Sequence, residues 1–348
     1  MGFVLAETSG GIGRHVRDVA SRLAGLGQPP YLIAPAAVIE RFSLGDVAAV
    51  TPVDVGDPRA FPAARRAIRR LHGSCDVVHA HGLRAGAVAA RSRVAGGAPL
   101  VVTWHNRPPS TGVAGGVGRQ LARLSAHGAD ITLAVSDDLV RLALDAGARE
   151  ARWTPVSAPA LPQPARPASE VRAELGATNR SLVLAIGRLA VQKGFDVLAA
   201  AADILADETN APVVAIVGEG PERARLAGSA VQLLGARDDV ADLIAAADVV
   251  VMPSRWEGWP LVAQEALRAG AALVASRVGG LPQLAGDAAA WVPAEDPAEL
   301  ATVLRRLLAD DGERTRLREA ALRRAAELPD DEATLEALLT VYREVTRP

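Results

Sequence analysis

Lysine is nearly missing from this sequence: 37 arginines stand against a single lysine, Lys193. Cysteine is as scarce, and one thiol, Cys75, excludes an internal disulfide and fits a reducing compartment. No apolar run approaches the ~18 residues of a membrane span. The stretch "MGFVLAETSGG" lacks the basic, apolar and cleavage regions of a signal peptide, so the chain reads as cytoplasmic. No two aspartates stand two positions apart, which removes the Asp-x-Asp pair that could hold Mg²⁺.

What is present describes a folded chain long enough for two domains. It has 348 residues, 49% hydrophobic and 22% charged, and a net charge of −2. The charge is uneven. Residues 1–160 hold 18 Arg against 12 acids, whereas residues 161–348 hold 20 cations against 28 acids. All six histidines fall in the first part. The asymmetry points to halves with different partners, but it is too weak and too scattered for nucleic acid.

In the first half, "FVLAE", "PYLIAP", "DVVHAHG", "PLVVTWHN" and "ITLAVS" read as strands, separated by apolar residues at helical spacing. The second half repeats the scheme with "LVLAIGRL", "VVAIVGEG", "VQLLG", "DVVVMPS", "ALVASRVGG" and "AAAWVP". Continuous apolar strands alternating with helices predict doubly wound α/β domains, each a parallel sheet covered on both faces. Five prolines in residues 155–167 mark a linker or hinge. The expected domains are therefore 1–160 and 161–331, the first completed by the helical pattern at 332–348. Two such domains would face a central cleft at the carboxyl ends of their sheets.

Four features converge on that cleft. Arg188 and Lys193 follow the "LVLAIG" strand, five positions apart, so both can reach one anionic group. A lysine surviving by chance in an arginine-biased composition is the plain explanation. The sharper one is that the position needs a compact point charge on a flexible stem, which suits a phosphate. "VGEGPER" brings Gly218, where a backbone can approach a ligand closely, although an ordinary turn has the same glycines. In "PSRWEGWPLVAQEALRAG", Pro260 suits the first helical position and Gly270 the stop. That exposes the amides of Leu261 and Val262 to an anion, with Glu257 and Gly258 in the preceding turn and Glu265 one turn inside. The fourth feature, "SGGIGRHV", opens a helix with Gly10 and Gly11 but lacks the third glycine of a dinucleotide fingerprint.

Together with "TWHN", "VSDDL" and their spacing, these stretches resemble the retaining glycosyltransferases of family 4, over about residues 3 to 330. The resemblance implies a GT-B fold of two Rossmann-like domains and a nucleoside diphosphate sugar donor, UDP- or GDP-linked. It also implies roles. Arg188 and Lys193 would bind the diphosphate, assisted by the Leu261 and Val262 amides and the Gly10–Gly11 turn. Glu265 would hold the ribose, Glu257 a hydroxyl of the transferred sugar, and the backbone at Arg237 would lie by the base. His105 would serve the reacting sugar, making His105, Arg188, Lys193 and Glu257 the catalytic set. No cofactor or metal is expected, because Arg188, Lys193 and the helix terminus can stabilise the departing diphosphate. The sequence departs from many family members after the fifth strand, where "WTPVSAPALP" replaces an Asn-Gly-Val-Asp turn.

The acceptor is unnamed by any of these residues: a glycan, a lipid or a small metabolite would serve. Two rival functions on the same fold are a nucleotide-sugar isomerase and a nucleotide-sugar-binding protein without transfer activity. "HAH" places His79 and His81 on one strand face, two ligands short of a zinc site, so structural or cleft-lining roles are expected. Trp256 and Trp259 are expected to pack, with shaping of a sugar pocket second. The arginines of "ARRAIRRL" read as a solvated helix face. Their alternative is peripheral contact with anionic lipid at the inner face of a membrane.

Overall fold

The computed structural model describes residues 1–8, 10–109 and 112–347; Ser9 of the "SGGIGRHV" stretch lies outside them. The chain divides into two compact units, Met1–Ser157 with Pro329–Pro348, and Ala158–Leu328. The division falls inside the proline-rich stretch, where no helix or strand forms between Trp153 and Ala168.

The first unit is built on seven parallel strands. They are β1 (Gly2–Leu5), β2 (Tyr31–Ala34), β3 (Ala49–Pro52), β4 (Val78–His81), β5 (Leu100–Trp104), β6 (Ile131–Ala134) and β7 (Ala151–Trp153). Their spatial order is β3-β2-β1-β4-β5-β6-β7. β3 and β7 are the two strands that the apolar pattern does not announce. Both are edge strands without a buried residue, and one ends in Pro52, so neither needs a continuous apolar run. Phe3, Leu5, Leu32, Val101 and Leu133 form the core with Val16, Val19 and Leu23 of the Gly11–Gly25 helix. Leu335, Leu338, Val341 and Tyr342, from the Asp331–Val345 helix, close the same core.

The second unit holds six parallel strands: β8 (Leu182–Ile186), β9 (Val213–Val217), β10 (Gln232–Gly235), β11 (Val249–Met252), β12 (Leu273–Ser276) and β13 (Ala289–Val292). Their order is β10-β9-β8-β11-β12-β13. The residues of β8, β9 and β11 are almost entirely buried, as strands covered on both faces must be.

In each unit the strand order reverses once, between β1 and β4 and between β8 and β11. Open parallel sheets bind ligands outside the carboxyl ends of the strands at such a reversal. Three of the four motif loops lie at such ends, Gly10–Gly11 after β1, Arg188–Lys193 after β8 and Pro253–Pro260 after β11, and the fourth, at Gly218, follows the neighbouring β9.

Candidate active site

In the second unit, two loops are fastened together so that Lys193 meets Glu257. After β8 the chain makes a short 3₁₀ turn, Val191–Lys193, and leaves it through Gly194 at φ +64. A side chain at Gly194 would be strained by that backbone and would also place a Cβ 2.0 Å from the Pro253 carbonyl oxygen. The loop after β11 thus lies directly against the turn. Arg255 fastens the two: its guanidinium forks onto Asp196 at 2.8 and 2.9 Å and also donates to the Val191 carbonyl at 2.7 Å. Gln192 donates to the Trp256 carbonyl at 2.9 Å. The Arg255 guanidinium holds the Asp196 carboxyl below its ordinary range, despite the opposing effect of burial.

Within this frame, Lys193 Nζ lies 2.7 Å from Glu257 Oε1, and Ser254 Oγ donates to the same oxygen at 2.6 Å. The Glu257 side chain is only 5% exposed and that of Lys193 is 22% exposed. A carboxylate so far from water needs its charge balanced, and the lysine supplies the balance.

The Leu261–Arg268 helix begins three residues after Gly258, which is buried in the turn. Pro260 is not its first helical residue, as the sequence suggests, but its N-cap, at φ −68 and ψ 131. A proline has no side-chain oxygen to cap with, and no side chain caps this helix. The first amides, those of Leu261 and Val262, have no partner within the helix, and the helix dipole adds to their attraction for an anion. Glu265 is buried at the fifth helical position. Gly270, at φ +64, ends the turn beyond the helix as expected.

The remaining candidates of the second unit follow β8, β9 and β10. Arg188 is exposed directly after β8. Gly218, at the end of β9, has φ +140, and a Cβ there would lie 1.9 Å from the Gly187 carbonyl oxygen, so the β8 and β9 loops pack backbone to backbone. The Arg237 guanidinium is taken up by Asp239 at 2.6 Å and Glu174 at 2.8 Å.

The first unit holds a different cluster. The His79 and His81 rings on β4 lie 4.1 Å apart, tilted by 32°, and His81 Nδ1 lies 3.3 Å from Nε2 of His105, which follows β5. The His15 ring, one turn into the helix that Gly10 and Gly11 open, stands 5.9 Å from that of His81 and 5.7 Å from that of His105. The Tyr342 hydroxyl meets His79 Nδ1 at 2.6 Å, and Thr103 Oγ1 meets His79 Nε2 at 2.7 Å. Burial drives all four imidazoles down. His15 falls to about 4 against a weaker pull upward from Asp331, and His79 falls to about 3. His81 and His105 lie well below the ordinary 6.5, from burial first and the neighbouring rings second. At neutral pH the cluster is uncharged. Among the described residues no group of three or more histidines, cysteines or carboxylates is arranged to hold a metal.

A family model for the glycosyl transferase 4-like domain matches residues 10–159, and one for glycosyl transferases group 1 matches residues 180–310. D-inositol 3-phosphate glycosyltransferase 1 of Catenulispora acidiphila is 34% identical, over 96% of this chain and 91% of its own length. The D-inositol 3-phosphate glycosyltransferase of Xylanimonas cellulosilytica is 31% identical over 95% and 87%. This chain is a family 4 glycosyltransferase. Its architecture is the GT-B fold: HepE of Anabaena, solved in complex with UDP, superposes with a TM-score of 0.82 over 99% of both chains at 19% identity.

Three parts of this transferase were not singled out in the sequence. Ser254 and Arg255 look like loop filler but hold and aim Glu257 and Lys193. Tyr342 reaches the histidine cluster from 263 residues away. His15 stands inside "SGGIGRHV", and of the six histidines confined to the first half, four gather here.

Proposed function

We propose that this glycosyltransferase moves a sugar, with retention of configuration and without a metal ion, from a UDP-sugar to a hydroxyl of a small phosphorylated polyol. The Lys193–Glu257 contact carries the reading. It gives each partner an exchangeable counter-charge: a diphosphate draws the ammonium, and a sugar hydroxyl can then donate to the carboxylate. Arg188, Lys193 and the uncapped start of the Leu261–Arg268 helix supply fixed positive potential where the leaving diphosphate gathers charge, which lowers the barrier to glycosyl–phosphate cleavage. Among the described residues no side chain stands out as a nucleophile. The leaving phosphate oxygen therefore takes the acceptor proton on the same face, and His105, uncharged, orients and polarises the sugar. Glu265 holds the ribose and the Arg237 backbone meets the base. UDP is preferred over GDP because HepE was solved with UDP, and the acceptor class follows the names of the inositol phosphate relatives.

One surface bears on where the acceptor is met. The exposed face of the Phe61–Ser74 helix and its hollow of about 560 Å³ are lined by Phe61, Pro62, Arg65, Arg66, Arg69 and Arg70. Among the described residues none of these four guanidiniums has an ion-pair partner. Peripheral contact with an anionic membrane surface through this face is part of the proposal. No helix of the described residues is long and apolar enough to cross a membrane.

The test is calorimetric titration of UDP, GDP, ADP and TDP in EDTA, into wild type and Lys193→Ala, followed by transfer from UDP-glucose to D-inositol 3-phosphate. Tight binding of UDP alone, weakened at least tenfold by the substitution, and an axial product linkage by NMR are expected. Equal binding by the variant removes the donor site from Lys193. Activity lost in EDTA and restored by Mg²⁺ overturns the metal-free route. Binding without turnover of any donor marks a binding protein instead.

A further inference from the structure

The buried imidazoles of the first unit form a chain whose proton positions can be read from its unsatisfied end. We infer that His81 is a positioning residue, which fixes His105 as the tautomer carrying its proton on Nδ1. This inference rests on the reading that His105 acts on the reacting sugar.

The argument begins with His81 Nε2, which is buried and has no hydrogen-bond partner among the described residues. A neutral imidazole has one N–H and one lone pair. Burying an N–H without an acceptor is the rarer and costlier arrangement, so the proton of His81 belongs on Nδ1. That N–H points at His105 Nε2, 3.3 Å away, which must then be the acceptor. The His105 ring, kept neutral by burial, carries its single proton on the other nitrogen. Among the described residues no hydrogen bond engages His105 Nδ1, so this N–H is the donor left for a substrate oxygen.

The ring of His81 is held from several sides. His79 lies against it at 4.1 Å and is itself pinned at both nitrogens, by Tyr342 and Thr103. Phe3 sets its edge against both rings, at 6.0 Å from His79 and 5.6 Å from His81. The His105 ring lies within 25° of the His81 plane, at 5.6 Å between centroids. A ring so enclosed cannot turn to offer its other nitrogen, and the tautomer of His105 is set before any substrate arrives. The alternating pair in "HAH" therefore has unequal duties: His79 braces the stack and His81 sets a proton.

Two near-isosteric substitutions test this in the full-length protein, His81→Asn and His81→Leu. Long-range ¹H–¹⁵N correlation of the side chains at pH 7 reads the His105 tautomer directly. Initial rates with UDP-glucose, by UDP release in the presence of D-inositol 3-phosphate or of water alone, give kcat and KM. The wild type should show His105 protonated on Nδ1. Leucine, which cannot donate, should mix the tautomers and lower kcat at least tenfold, with KM for the donor changed less than threefold. The asparagine variant should keep kcat in proportion to the fraction of Nδ1–H tautomer that it retains. A wild type protonated on Nε2 overturns the inference, as does a leucine variant with an unchanged tautomer. So does an equal loss of rate in both variants without any change of tautomer. His105→Ala separates the two readings. If its rate equals that of wild type, His105 does not serve transfer, while the spectra still decide what His81 does to it.

Discussion

Lowering the pH from 7 to 5 should loosen the first unit selectively. His15 and His79 are fully enclosed, and burial drops them to about 4 and about 3. Their folded pKa values lie below the unfolded value of about 6.5, so the unfolded chain binds the extra protons. Stability is then fully present above pH 6.5 and is lost as the pH falls toward the folded values. At pH 5 each of the two contributes about 2 kcal/mol of destabilisation, hence about 4 kcal/mol together, or about three decades in the unfolding equilibrium. His81 and His105 move in the same direction. Asp18, raised by its own burial, works the other way at the acid end. The second unit, Ala158–Leu328, contains no histidine and serves as an internal reference. Hydrogen–deuterium exchange with mass spectrometry, corrected for intrinsic rates, reads both at once. Protection in β1, β4 and β5 should fall by two to three decades at pH 5, and protection in β8 and β9 should fall much less. If β4 keeps its protection within tenfold, the imidazoles are not held uncharged and the reasoning fails.

Other consequences are tested on the second unit and on the basic helix. Lys193→Ala strands the Glu257 carboxylate with Ser254 alone, at a cost of about 2–3 kcal/mol, below the fully buried range because the lysine is partly solvated. Adding Glu257→Gln should recover most of that loss in urea titrations; failure to recover it means that the contact does not couple the two residues. Lys193→Arg keeps the charge, yet a planar fork does not replace the ammonium at 2.7 Å, so UDP affinity should fall at least tenfold by calorimetry. Replacing Arg65, Arg66, Arg69 and Arg70 by Gln should abolish sedimentation with phosphatidylserine vesicles at low salt, each cation being worth about 1 kcal/mol. Equal sedimentation of the variant would assign any binding to another surface.

The fold was legible where burial is two-sided. β8, β9 and β11 read as apolar runs because both faces are covered, and the six strands of the second half were all visible in the sequence. β3 and β7 were not, because an edge strand with one open face has no such pattern. The loops bearing Arg188, Lys193, Glu257 and Glu265 were legible because glycine and proline punctuate the chain there and the lone lysine is a rare signal. The Lys193–Glu257 contact was not, since it depends on Arg255 and Gln192 joining two loops 64 positions apart. The histidine cluster escaped for a similar reason. "HAH" by itself is a pair, and its meaning comes from His15, His105 and Tyr342, which the sheet order and a distant helix bring to it.

The route of the chain also sets an order of completion. The sheet of the first unit has been synthesised by residue 157, but Tyr342, which pins His79, and the helical face that seals its core lie in residues 329–348. At about 5–20 residues per second, synthesis of the intervening unit takes about 10–30 s. The second unit can finish folding in that interval, while the first waits with an open core and an unbraced imidazole stack. The unit begun first is finished last. A protein clipped near residue 328 would hold a finished second unit and an unfinished histidine site, a natural substrate for chaperones and proteases.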